Sequence, residues 1–225
     1  DDYWKGVPPK SGMILACPNL PGGDWKSGAG ERLVLEVRRD VLASFNVKAD
    51  MVTLGGFSAG AIGTWALGAR YPDLFAAIVP RSGRGPGDDD LLRNLSGVPV
   101  YAMHGTADRN IPVSATRDVV RSLRKEGLFA KGSVYKERRG VAHDFGSDLN
   151  RSIVQWLSRR KRPSPRQAGR LDMTVLPDRV EDVAWFVKVD SSARQRLRVT
   201  VAKDNVVNVR LSEPGRVFSR SELLT

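Results

Sequence analysis

The chain has a single cysteine, Cys17, among its 225 residues. No intrachain disulfide can form, so no disulfide framework holds this fold, and cysteine usage leaves the redox compartment open. Histidine is almost as scarce, with only His104 and His143. A site that needs an imidazole therefore has two candidates. Long apolar runs are missing as well. The longest, such as Phe75 to Val79, are strand-sized and far from the roughly 20 residues a membrane helix needs, so no membrane span is predicted. No Met stands at position 1 and no leader-like apolar segment follows it, so the sequence reads as a processed form or an excised piece. Localisation, exported bacterial or cytoplasmic, is left open by these absences.

What is present fits a folded chain. Hydrophobic residues make up 41% and charged residues 27%, which argues against a disordered or fibrous protein. The formal charge of +11 raises the question of a polyanion partner. The densest basic run is Arg159-Arg160-Lys161-Arg162, followed by Pro163, Ser164, Pro165 and Arg166. The other basic residues are scattered among carboxylates, and no nucleic-acid motif or interleaved aromatics accompany them. A solvated basic surface is the reading, with no specific nucleic acid.

Short apolar runs alternate with amphipathic stretches through the first 160 residues or so, the pattern of strands that cross over through helices into a mostly parallel sheet. The spacing predicts a buried strand over Gly12 to Cys17, a helix over Glu31 to Phe45, and a strand over Met51 to Leu54 broken at Gly55-Gly56. A helix over Ala59 to Arg70 follows, ended by Pro72. Strands at Ala76 to Val79, Val100 to Met103 and Ser133 to Lys136 alternate with helices at Ser114 to Lys125 and Ser147 to Arg159. From 159 to 170 the chain turns Pro- and Arg-rich like an exposed linker. Beyond it Trp185 to Val189, Leu197 to Val201 and Val206 to Leu211 alternate apolar with polar residues, and Asp204-Asn205 suits a hairpin turn. The expected organisation is an α/β domain over 1–158 with a doubly wound, mostly parallel sheet, a linker over 159–170, and a small antiparallel β unit over 171–225.

Gly56-Phe57-Ser58-Ala59-Gly60 fits Gly-x-Ser-x-Gly and lies between an apolar strand and a helix, the context that gives that motif meaning. A serine there would project from a sharp turn, with glycines at 56 and 60 removing side chains that would collide with backbone. The Ala59 amide would point at a developing oxyanion. Taken alone, the turn suits a phosphate grip at a helix N-terminus equally well, although no Lys follows as a P-loop requires. The partners of a serine nucleophile appear downstream in the order acid, then histidine. His143, in the loop Gly140 to Phe145, is the candidate base. His104, at a strand end before Gly105, reads as a packed residue shaping the next turn, with a base role left as its alternative. Asp108 lies just past that strand and would hold the imidazole's tautomer. Asp144 and Asp148 are rivals by proximity, Asp148 being suited to starting a helix, and a plain turn aspartate is the alternative for Asp108. Trp25, Phe57, Arg84 and Phe145 are loop residues that suit a substrate pocket or ordinary packing equally.

Four segments in order resemble bacterial α/β-hydrolases of the carboxylesterase, polyhydroxyalkanoate-depolymerase and predicted-peptidase branch. They are Leu54 to Gly60, Tyr71 to Pro80, His104-Gly105-Thr106-Ala107-Asp108, and Gly140-Val141-Ala142-His143-Asp144, within a similarity over about residues 12 to 160. The resemblance implies acyl-enzyme chemistry without cofactor or metal, with Ser58 as nucleophile, Asp108 as orienting acid and His143 as base. Such hydrolases carry an earlier strand ending in His-Gly that supplies the second oxyanion donor. Nothing before Gly12 matches it, so an N-terminally incomplete domain is expected and the second donor has no candidate. The expected substrate is a small or polymeric carboxylic ester. A peptide or amide is the alternative within the class, and a noncatalytic module contacting polyanions is the alternative outside it.

Overall fold

A computed structural model describes residues 12–26, 28–177, 187–190, 193–202, 206–212 and 216–219. In chain order, helix α1 (Gly28–Ser44) and a 3-10 turn (Ala49–Met51) lead to β1 (Thr53–Phe57), α2 (Ala59–Arg70), β2 (Ala77–Arg81) and the short α3 (Asp89–Leu92). Then come β3 (Tyr101–Gly105), α4 (Ser114–Lys125), β4 (Val134–Arg138) and α5 (Asn150–Leu157). The four strands pair parallel in the order β1-β2-β3-β4. Helical crossovers between successive strands require that direction.

Alternate residues of a strand point to opposite faces, and the two cores follow that rule. Ile78, Val100 and Ala102 pack with Leu35 of α1, Trp65 and Leu67 of α2, and Val120 and Leu123 of α4. Their neighbours Ala77, Val79, Tyr101 and Met103 pack with Ile153 and Leu157 of α5. Helices therefore cover both faces, the doubly wound arrangement expected. Strands β2 and β3 are buried at every position, whereas β1 and β4 are only half-buried.

Two local expectations fail. Gly12 to Cys17 joins no ladder, and Met13, Ile14 and Leu15 are exposed. A short apolar run becomes a strand only when a neighbour takes up its backbone groups, and no strand among the described residues does so. The strand before the serine is also not broken at Gly55-Gly56. It runs through both glycines to Phe57, held by parallel pairing of Gly55 with Val79 and Gly56 with Pro80.

Helix α1 is fixed to α2 by a buried ion pair, Glu31 Oε1 to Arg70 Nε at 2.9 Å, and the Tyr71 hydroxyl donates to the same carboxylate. After α5, the basic stretch lies against the 3-10 turn that precedes β1. Lys161 pairs with Asp50 at 3.0 Å, and the Arg162 amide donates to the Asp50 carbonyl at 2.7 Å.

A short helix, α6 (Pro165–Ala168), precedes β5 (Arg170–Val175), β6 (Val187–Asp190), β7 (Gln195–Val201), β8 (Val207–Leu211) and β9 (Arg216–Ser219). They form antiparallel sheets in the orders β5-β7-β8 and β6-β9. Met173, Val175, Leu197 and Val199 make the core of the larger one. Strands β5 and β9 are additional to those expected. The Asp204-Asn205 turn and Trp185 lie outside the described residues. The buried Asn94 side chain joins the two parts of the fold, donating to the Ala69 carbonyl at 2.8 Å and the Thr174 carbonyl at 2.9 Å. Its oxygen accepts from the Thr174 amide at 2.7 Å.

Candidate active site

The Ser58 amide donates to the Arg81 carbonyl at 3.0 Å, extending the β1–β2 ladder by one residue. There the chain reverses. Ser58 has φ 55° and ψ −119°, and the Ala61 and Ile62 amides close on its carbonyl as α2 starts. Positive φ costs a non-glycine residue of order 1–3 kcal/mol and persists only where the surroundings enforce it. Ser58 and Ser82 are the only non-glycine examples among the described residues. Both stand at carboxyl ends of strands, the edge on which open α/β sheets build their sites.

The reversal is so tight that a Cβ on Gly56 would lie 2.2 Å from the Gly60 carbonyl oxygen and 2.8 Å from Thr64 Oγ1. A Cβ on Gly60 would meet nothing within 4 Å. The expectation that both glycines make room is corrected: only Gly56 does. Gly60→Ala should therefore leave stability unchanged, while Gly56→Ala should lose about 1–3 kcal/mol from overpacking, as read by urea denaturation. Equal losses would contradict this account of the turn. Ala59 is the first residue of α2, and its amide is one of the donors a helix start leaves without an intrahelical partner.

Asp108 and His143 are brought together, and the rival acids are not. His143 Nδ1 lies 2.6 Å from Asp108 Oδ2, with the carboxylate fully covered and the imidazole side chain 15% exposed. Asp108 Oδ1 accepts the amides of Asn110 and Ile111 at 2.8 and 2.9 Å. Burial pushes the Asp108 carboxyl up, but the His143 hydrogen bond and the Ile111 and Asn110 amides outweigh it and hold the group below the usual carboxylate range. Asp144 and Asp148 instead engage Arg138 on the surface.

His143 follows β4, and β2 and β3 lie between that strand and β1, so its loop has to fold back over the sheet end. It does so across Gly105, where a Cβ would lie 2.3 Å from the carbonyl oxygens of both Val141 and Ala142. The Ala107 amide donates to the Val141 carbonyl at 2.9 Å, and the Gly140 amide to Thr106 Oγ1 at 2.9 Å. The glycine after His104 is thus the space through which His143 returns toward Ser58.

Phe57, the residue before the serine, lies against the His143 ring with centroids 4.7 Å apart, and meets Phe145 edge-on at 5.8 Å. Phe145 is buried, with the Arg81 guanidinium 4.0 Å above its ring. Arg81 also donates to the Phe145 carbonyl at 3.3 Å and to Asn150 Oδ1 at 2.8 Å. Burial pulls its guanidinium down to about 10. This arginine supports the histidine loop from beneath. Its one sequence signal is a charge that ends an otherwise apolar strand. Of the other pocket candidates, Trp25 is half-buried against Gly63 of α2, and Arg84 is exposed beyond Ser82. No hydrogen bond joins the Ser58 hydroxyl to His143 among the described residues. Such contacts commonly tighten only when substrate binds.

No group of three or more His, Cys, Asp or Glu among the described residues is placed to hold a metal ion. No helix there is long and apolar enough to cross a membrane.

A secreted protein of unassigned function from Arthroderma benhamiae is 26% identical over 213 residues, covering 68% of this chain and 23% of that protein. A thermostable esterase of known structure is 26% identical, with a TM-score of 0.50 over 57% of this chain and 36% of its own. Esterase PE8 is 23% identical, with a TM-score of 0.49 over 58% and 60%. The chain thus spans less than two thirds of each of these proteins. Residues 33–156, more than half of the chain, match the family model for phospholipase/carboxylesterase. With a doubly wound parallel sheet and a strained serine between β1 and α2, the chain belongs to the phospholipase/carboxylesterase family of α/β-hydrolases.

Proposed function

We propose that this chain carries the catalytic machinery of a serine hydrolase that cleaves carboxylic esters. The observation that carries the reading is the Asp108–His143 hydrogen bond, held beside a serine in a strained strand-to-helix turn. With Nδ1 committed to Asp108, the Nε2 of His143 is left to take the Ser58 proton. Ser58 Oγ attacks the ester carbonyl, and the negative charge that develops on the carbonyl oxygen is met by the Ala59 amide. Collapse expels the alkoxide, which leaves with the proton from His143. Water, deprotonated by the same imidazole, then releases the acid and restores Ser58. Membership of a carboxylesterase family, and the likeness to a thermostable esterase, support an ester over an amide.

A fluorophosphonate probe tests this directly, because it reacts only with an activated serine. The whole protein should be labelled, and labelling should vanish in Ser58→Ala. A folded protein that takes no label would remove the proposal.

A further inference from the structure

His104 is wholly buried, and each of its ring nitrogens faces oxygen. Nδ1 lies 2.7 Å from Thr116 Oγ1. That hydroxyl has one hydrogen, and it is needed for the Gly83 carbonyl oxygen 2.6 Å away. Thr116 can therefore only accept from the ring, and Nδ1 must carry a hydrogen. Nε2 lies 2.9 Å from the Ile111 carbonyl oxygen and 3.1 Å from Asp108 Oδ2. Neither oxygen has a hydrogen to give, so Nε2 must carry one too. Each neutral tautomer fails. With the proton on Nδ1 alone, the Nε2 lone pair faces two acceptors. With it on Nε2 alone, Thr116 must turn its hydrogen to Nδ1, leaving two oxygens 2.6 Å apart with none between them.

We infer that His104 is a buried imidazolium that shares the Asp108 carboxylate with His143 and acts as a positioning residue for the base. The same Asp108 oxygen accepts from both rings, at 3.1 Å from His104 and 2.6 Å from His143. Asp108 is thereby held from four sides: two backbone amides on Oδ1 and two imidazoles on Oδ2. Its carboxylate cannot rotate without breaking all of them.

The other charges around His104 do not replace Asp108 as its counter-ion. Glu137 is its cross-strand partner on β4, but it is tied to Arg117 of α4 at 2.7 Å and to the Tyr135 hydroxyl. Arg138, opposite Gly105, is engaged by Asp144 and Asp148. Burying a charge is tolerated when it is paired and fully hydrogen-bonded, and Asp108 with Ile111 and Thr116 does both. A cation on the far side of Asp108 also draws on the negative charge that would stabilise protonated His143. Removing that cation leaves Asp108 to act on the protonated base alone.

This inference rests on the hydrolase reading for its catalytic meaning, but its physical core does not. Nitrogen NMR of the whole protein labelled at histidine should show both His104 nitrogens in the protonated range at neutral pH, with assignment by loss of signal in His104→Gln. If that variant does not fold, His143→Gln assigns the same signals by elimination. A His104 nitrogen in the unprotonated range overturns the inference. In His104→Gln, the acidic limb of kcat/KM should move to higher pH by about one unit, a change that loss of packing alone would not produce. An unmoved limb also overturns it. Should NMR show the imidazolium while Ser58 takes no fluorophosphonate, the hydrolase reading fails and the shared carboxylate stands.

Discussion

Asp108→Asn should lower kcat by about 10⁴-fold with little change in KM. The amide oxygen at position 108 must still accept the Asn110 and Ile111 amides, because no other acceptor is offered to them there. The new NH2 then faces both rings. Toward His143 it donates to Nδ1, which forces the ring's hydrogen onto Nε2, the nitrogen that has to receive the Ser58 proton. Toward His104 it opposes another donor. The variant keeps its volume and its two turn hydrogen bonds, so the rate loss is electronic and tautomeric rather than a loss of shape. Single-turnover and steady-state hydrolysis of an activated ester would measure it, with circular dichroism to verify the fold. A fall of less than about tenfold would place the orienting acid elsewhere.

Glu31→Ala, a truncation away from the site, should cost about 3–5 kcal/mol. Glu31 is 1% exposed, and its carboxylate holds the buried Arg70 guanidinium at 2.9 Å and takes the Tyr71 hydroxyl. Truncation removes a buried carboxylate that the guanidinium at the end of α2 faces at 2.9 Å. Because α2 starts at the serine turn, the loss weakens the element on which Ser58 stands. Urea denaturation of the whole protein would measure the cost. A loss below about 1 kcal/mol would mean that the pair behaves like a surface ion pair.

Much of the fold was legible because local pattern and tertiary role coincide in it. Helices α2 and α4 have the bounds that spacing and Pro72 suggest. The glycine motif, His143 and Asp108 stand out because the sheet brings loops that follow strands to one edge. What stayed hidden depends on partners distant in sequence. Gly12 to Cys17 has the apolar character of a strand, but character does not supply a ladder. Gly55 and Gly56 look like a break because glycine is poor strand material, yet pairing with Val79 and Pro80 keeps them extended. Arg81 and Asn150, 69 residues apart, have no local signature that could announce their hydrogen bond. His104 was legible as a packed residue shaping a turn. That both its nitrogens face acceptors depends on Thr116, Gly83 and Ile111, which no spacing rule connects.

The Asn94 carboxamide has a consequence for anyone who would dissect this protein. It offers Thr174 the same donor and acceptor that a neighbouring peptide would, and so closes the free edge of β5 at that point with a side chain. Its remaining hydrogen bond goes to the end of α2. Wherever between 159 and 170 the chain is cut, the hydrolase half loses the Thr174 partner of that carboxamide, and the β half keeps an uncapped edge strand. The two halves are thus poor candidates for separate expression or for grafting onto other scaffolds, unless Asn94 and Thr174 are redesigned along with the cut.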